Sequence, residues 1–333
     1  MNNLHNHNPF EGLVDLAQPR LGTRVVCATD DFFADKSRLI EPAPPVFIPD
    51  KFDEHGKWMD GWESRRKRVP GHDWCVVRLG VPGQIKGFDI DTSHFTGNYP
   101  PAASIEACVS GEEMPSEDAG WRTILDRVEL AGDSHHCHHI QEDRHFTHVR
   151  LNIYPDGGVA RLRVYGLIQP DWSTYNEGEV LDLLALENGG QALACSDEHY
   201  GSMHNLNAPG RGVNMGDGWE TGRRRGPGHD WVVLKLGHAG KITRVEIDTA
   251  HFKGNYPDRA SVLAVYSPDG RAEDIVADSA SWPTLLPEVK LEMDTQHWFE
   301  DRVEDVGAVT HVRLNIFPDG GVSRVRLYGL LSD

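Results

Sequence analysis

Eight polar residues that could do chemistry are written twice in this chain. Asp60, Glu63, Arg66, His72, Asp73, Asp91, His94 and Asn98 return at the same spacing as Asp217, Glu220, Arg223, His229, Asp230, Asp248, His251 and Asn255. They lie in a stretch, Asp60 to Pro100, that aligns without a gap on Asp217 to Pro257. A shared core would require matched apolar positions, but surface acids and histidines have no packing reason to stay matched. Each copy is therefore expected to carry the same polar site.

The residue types suggest what that site does. Asp60 and Glu63 offer acceptors to N–H donors of the urea type. The run Arg65, Arg66, Lys67 and Arg68, with Arg223, Arg224 and Arg225 in the second copy, is a dense positive patch. An arginine fork matches a carboxylate bidentately, so a small carboxylate is the expected partner. His94 follows Asp91 by three residues, and a carboxylate can orient an imidazole for proton transfer. His72 and Asp73 stand just before a strand, where either could cap the loop or take part. Asn98 and Tyr99 share one loop with Gly97, which allows close backbone approach. Trp62 is expected to close one mouth of its module.

A second cluster, His135-His136-Cys137-His138-His139, looks like a metal site at first glance. Its counterpart replaces Cys137, His138 and His139 by Trp298, Phe299 and Glu300, so a surface loop is expected instead. Among the six histidines between positions 135 and 148, only His136 and His148 find partners, in His297 and His311. No phosphate loop, dinucleotide fingerprint, nucleophile elbow or zincin motif occurs, and cofactor chemistry is not expected. A divalent metal is compatible with the histidines and carboxylates, although no ligand triad stands out.

The elements that must position these residues read as strands. DWCVVRLG and QIKGFDIDT, with DWVVLKLG and KITRVEIDT, are short β-branched runs around a Pro-Gly or Ala-Gly step, and predict an antiparallel pair joined by a tight turn. On that pairing GWESRR, GHD and SHFTGNYP share one rim. ASIEACVS, WRTIL and HVRLNIYPDGGVARLRVYGLI supply further strands, and the proline-rich EPAPPVFIPDKFDEHGKWM predicts a draped loop. Helix should be scarce. Two tandem all-β jelly-roll sandwiches are expected, residues 1–170 and 171–333, with the boundary near Gln169 to Asn176.

Composition narrows the function classes. The chain of 333 residues carries a formal net charge of -18, which disfavours nucleic acid and anionic membrane surfaces as partners. Five cysteines without CxxC spacing read as reduced thiols, and neither a leader nor a membrane span is evident, so a soluble cytoplasmic protein is expected. The Asn- and His-rich start, with His5 and His7, is given no role. A homo-oligomer is left open.

DGWESRR, GHDW, HFTGNYP and HVRLNIYPDGGVARLRVYG together resemble the allantoicase (allantoate amidinohydrolase) family over nearly the whole length. More distantly, the pattern is similar to galactose-binding jelly rolls, which makes a non-catalytic tandem binder of carbohydrate or another small ligand the alternative. The family resemblance implies two repeated jelly rolls that hydrolyse allantoate to ureidoglycolate and urea. For that substrate the residues themselves suggest Arg66 and a neighbouring arginine on the carboxylate, and Glu63, Asp73 and Asn98 on the ureido groups. His94, oriented by Asp91, would protonate the departing urea, while His72 or Asp60 directs water; the same roles fall to the second copy. One departure stands out, Ser64-Arg65 becoming Thr221-Gly222.

Overall fold

A computed structural model describes residues 9, 10 and 12–332; His5 and His7 lie outside the described residues. The chain divides between Gln169 and Pro170 into two compact units, each a β-sandwich with the same strand order. Among the described residues the one α-helix is Ala272–Asp278, and no helix is long and apolar enough to cross a membrane.

The first half of each repeat does not form the expected hairpin. Asp73–Asp91 is a single strand, as is Asp230–Asp248. Its first half pairs with Arg24–Ala28 on one side and with His145–Tyr154 on the other. Its second half pairs with His135–His139 and with Arg161–Ile168, in the opposite sheet. The strand changes sheets at Val81-Pro82-Gly83, where the pairing with His145–Tyr154 shifts register between Arg78 and Gly83. Sandwich corners are made by strands that cross at such irregularities, which also tolerate a proline without a ladder N–H. Glycine suits the corner, because a Cβ on Gly240 would lie 2.4 Å from the Leu330 carbonyl oxygen, and one on Gly83 would lie 3.0 Å from the Leu167 carbonyl oxygen.

The rim survives this correction by another route. Ile153 stands opposite Asp73, and Arg161 opposite Asp91, so the segment from Tyr154 to Ala160 bridges the two tips of the folded strand. Asp73 N–H donates to Pro155 O at 3.0 Å and Ala160 N–H to Asp91 O at 2.8 Å. Both ends of one bent strand thus meet at the same end of the sandwich.

The interior is filled from both sheets by Val77, Ile85, Phe88, Ile90, Ile105, Leu151, Ile153 and Leu162, all fully buried. Burial of such side chains stabilises by roughly 1.5–3 kcal/mol each. Trp62 and Trp219 are 0% exposed, and each indole N–H donates to a loop carbonyl, Asp30 or Asp197, at 2.8 and 2.9 Å. The HHCHH segment is a strand rather than a loop, because it completes the second sheet against Gly87–Asp91. His136 ties its own backbone in place: Nδ1–H donates to Ile90 O, and Nε2 accepts from Ala131 N–H. His297 repeats both bonds with Ile247 and Glu292.

Candidate active site

The short strand Trp62–Glu63 pairs with Gly158–Val159 on one side and bridges to Ala34 on the other. Held on both edges, Glu63 projects into a cleft of about 470 Å³ lined also by Phe33, Arg66, Lys67, Asn98, Tyr99 and Asp156. The second unit has its own cleft of about 600 Å³, where Tyr200, Glu220, Arg223, Arg224, Asn255, Tyr256 and Asp319 take the corresponding places. Volumes of this size suit a small molecule.

The cleft wall is a three-way junction of loops. Asn98 O accepts from Gly158 N–H at 2.7 Å, and Ser64 N–H donates to Gly157 O at 3.1 Å. Gly157 has a φ of 139°, and a Cβ there would lie 2.6 Å from Pro100 N; Gly320, at 137°, is similarly confined. Only glycine brings the YPDGG turn this close to the NYP loop. Both turns enter through a cis peptide, Tyr154-Pro155 and Phe317-Pro318.

Within the cleft, Asn98 Nδ2–H donates to Glu63 Oε1 at 2.8 Å, and Asn255 makes the same bond to Glu220. Burial raises the Glu63 carboxyl above its ordinary pKa, and the Asn98 bond offsets this only in part. Arg66 and Arg223 line the clefts, are exposed, and make no ion pair or hydrogen bond among the described residues. Each cleft therefore sets an uncommitted guanidinium beside a half-buried acid.

Several residues expected in the site are committed elsewhere. His94 takes a left-handed conformation, φ 69°, with its backbone N–H on Asp133 Oδ1 at 2.8 Å and its Nε2–H donating to Pro45 O at 3.2 Å. His251 repeats this with Asp294 and with Gly212 O at 2.8 Å. These imidazoles latch the draped loops. Asp91 does not orient His94; it accepts from Ser93 N–H and stands 3.9 Å from His135 Nε2. Its counterpart Asp248 is gripped bidentately by Arg211 at 2.9 and 3.1 Å. Asp60 does not face the cleft but pairs with the buried Arg161 at 2.9 Å, as Asp217 pairs with Arg324 at 2.7 Å. Each pair fastens the loop before it to the sheet.

His72 and His229 also lie off the cleft lining, on Asn152 Oδ1 at 3.3 Å and Asn315 Oδ1 at 3.2 Å. Asp73 and Asp230 are 1% exposed and accept from Thr29 and Ser196 hydroxyls, so neither carboxylate is free to read a ureido group. Arg65 pairs with Asp30 at 2.6 Å, outside the cleft, and Gly222 uses its backbone N–H on the equivalent Asp197. The departure at that position leaves both clefts intact.

Asp156, Asp319, Phe33 and Tyr200 line the clefts as well, and none of them is among the site residues expected from the sequence. The signal for the two aspartates was the repetition of PDGG; Phe33 and Tyr200 carried none. Among the described residues no group of three or more His, Cys, Asp or Glu is placed to hold a metal ion. Burial pushes the thiols of Cys108, Cys137 and Cys195 up to about 11, far from a ready nucleophile.

Comparison with known proteins follows the same two-unit division. A family model described as "Allantoicase repeat" matches residues 14–169 and again 181–332. The chain is 57% identical over 324 residues to a probable allantoicase of Pseudomonas fluorescens strain SBW25, covering 97% of this chain and 98% of that one. It is 59% identical over 321 residues to a probable allantoicase of Stutzerimonas stutzeri strain A1501, covering 96% and 97%. The crystal structure of allantoicase from Saccharomyces cerevisiae is similar with a TM-score of 0.77 at 36% identity, covering 95% of this chain and 93% of that one.

Proposed function

The chain belongs to the allantoicase family, and we propose that the rim cleft of each unit is where it hydrolyses allantoate to ureidoglycolate and urea in purine-nitrogen breakdown. The observation that carries this placement is the pair Glu63 and Arg66, set in one cleft and repeated as Glu220 and Arg223. The likeness to allantoicases over nearly the whole chain disfavours the alternative of a non-catalytic sugar binder.

Allantoate carries a carboxylate and two ureido groups on one carbon. The free Arg66 guanidinium suits the carboxylate as a charge-assisted, forked partner. Asn98 and the tyrosine beside it border the space left for the ureido arms. Urea leaves poorly as an anion, so the carbon–nitrogen bond needs a proton delivered to the departing nitrogen. Glu63, whose carboxyl holds its proton more tightly than usual, is the donor at that position. The resulting carboxylate then takes a proton from water as its oxygen bonds to the central carbon. One water is consumed and Glu63 returns to its starting state.

Urea release from allantoate by the Glu63→Gln/Glu220→Gln double variant tests the assignment. Acid–base assistance contributes ~10² to 10⁴-fold, so kcat should fall at least ~100-fold with the fold retained by circular dichroism. An unchanged rate would remove both clefts from the reaction. We also assign the protein to the cytoplasm, where the five unpaired cysteines would stay reduced.

A further inference from the structure

Beside the uncommitted Arg66, each cleft holds a second cation of opposite character. Lys67 is fastened at both ends: its backbone N–H donates to Asp156 Oδ2 at 2.7 Å, and its ammonium pairs with Asp73 Oδ1 at 2.5 Å. Arg224 repeats the arrangement, with its N–H on Asp319 Oδ2 at 2.8 Å and its guanidinium on Asp230 Oδ1. The anchoring carboxylates come from the first residue of the long strand, and both are buried.

The backbone between cation and anchor is shaped to allow this. Gly71 adopts φ 129° and Gly228 φ 114°, and a Cβ on either would stand 3.5–3.6 Å from the Lys67 or Arg224 side chain. In a left-handed conformation a side chain is also strained, so both glycines favour the tight return that lets a cation reach an acid six positions on.

We infer that Lys67 and Arg224 are the fixed halves of two-cation clamps for the substrate carboxylate, and that the buried Asp73 and Asp230 are their positioning residues. This rests on the cleft reading above. An ammonium has three donors, of which Asp73 engages one, so Lys67 keeps donors for a ligand in the cleft it lines. In the second unit Arg224 donates from Nη2–H to Asp230 Oδ1, which leaves the donors of Nη1 for a ligand in the cleft it lines. The fixed cation sets where the carboxylate sits, and the uncommitted Arg66 or Arg223 completes the grip on it. Lysine in one unit and arginine in the other hold the same anchor in the same geometry, so the position requires a held positive charge rather than one side-chain shape.

The test uses the full chain with Glu220→Gln, so that turnover reports on the first cleft alone. In that background Lys67→Met and Asp73→Asn should each raise KM for allantoate about tenfold or more, with a much smaller change in kcat, since a charge-assisted hydrogen bond to the ground-state carboxylate is lost. Adding Asp73→Asn to Lys67→Met should cost nothing further in KM, because the acid acts only through the cation. Lys67→Arg, which copies the second unit, should restore KM to within a factor of a few. Thermal melting separates misfolding of Asp73→Asn from the effect on binding, and Lys67→Met carries the test if that variant does not fold. An unchanged KM for Lys67→Met, or no recovery in Lys67→Arg, overturns the inference. If Glu63→Gln in the same background leaves turnover intact, the cleft assignment itself has failed instead.

Discussion

At the scale of single residues, what matters is which polar groups are already spoken for. His94 and Asp91 have the spacing of an acid–base pair, yet His94 bonds a loop carbonyl and Asp91 a backbone N–H. His94→Asn should therefore keep kcat within a factor of a few, since asparagine tolerates the left-handed backbone, and lose about 0.5–1.5 kcal/mol of stability with the latch. Steady-state urea release and chemical denaturation measure the two separately. Glu63 is the reverse case, a carboxyl whose burial works against ionisation. Because its folded-state pKa lies above the unfolded value, its contribution to stability is present below the unfolded pKa and is lost as pH rises through the raised one. Glu63→Gln should thus melt higher than the wild type at neutral pH, with the gap closing as pH falls below the carboxylate range. A variant that melts lower at pH 7 would mean that the ionised carboxyl is not penalised there.

At the scale of elements, the clefts depend on a strand that folds across its sandwich and on the turn that joins its two tips. Adjacent β-branched runs around Pro82-Gly83 have the local pattern of a hairpin, and sequence periodicity cannot tell a turn from a corner. The difference lies in pairing partners far along the chain, His145–Tyr154 and Arg161–Ile168, that claim the two halves separately. The joining turn should be intolerant of a side chain. Gly157→Ala would force a methyl within 2.6 Å of the Pro100 nitrogen from a left-handed backbone, which costs on the order of 1–3 kcal/mol. The same shift displaces the Asn98 loop, so melting temperature should fall and KM rise together. Loss of stability with KM unmoved would show that the turn does not shape the cleft.

At the scale of the whole molecule, duplication has produced two complete clefts, one in each unit, with matching acids, amides and cations. If both turn over, Glu63→Gln and Glu220→Gln alone should each leave roughly half of the wild-type kcat, and only the double variant should reach the ~100-fold loss expected of an acid–base group. Should one single variant match the double, the chemistry belongs to one unit and the other cleft binds without reacting.

The tandem β-sandwiches, the family and the rim where the polar repeats gather were legible in the sequence, because repeated motifs and β-branched runs bounded by glycine and proline are local signals. Glu63, Arg66 and Asn98 were legible as members of one cleft for the same reason, since short loops carry them to a shared edge. Which of the remaining ionisable groups stay free was decided only by tertiary structure. Pro45 O reaches His94, Arg161 reaches Asp60, and Thr29 with Lys67 takes up Asp73. A buried polar group accepts whichever partner the folded chain brings within about 3 Å, and spacing along the sequence does not record that choice.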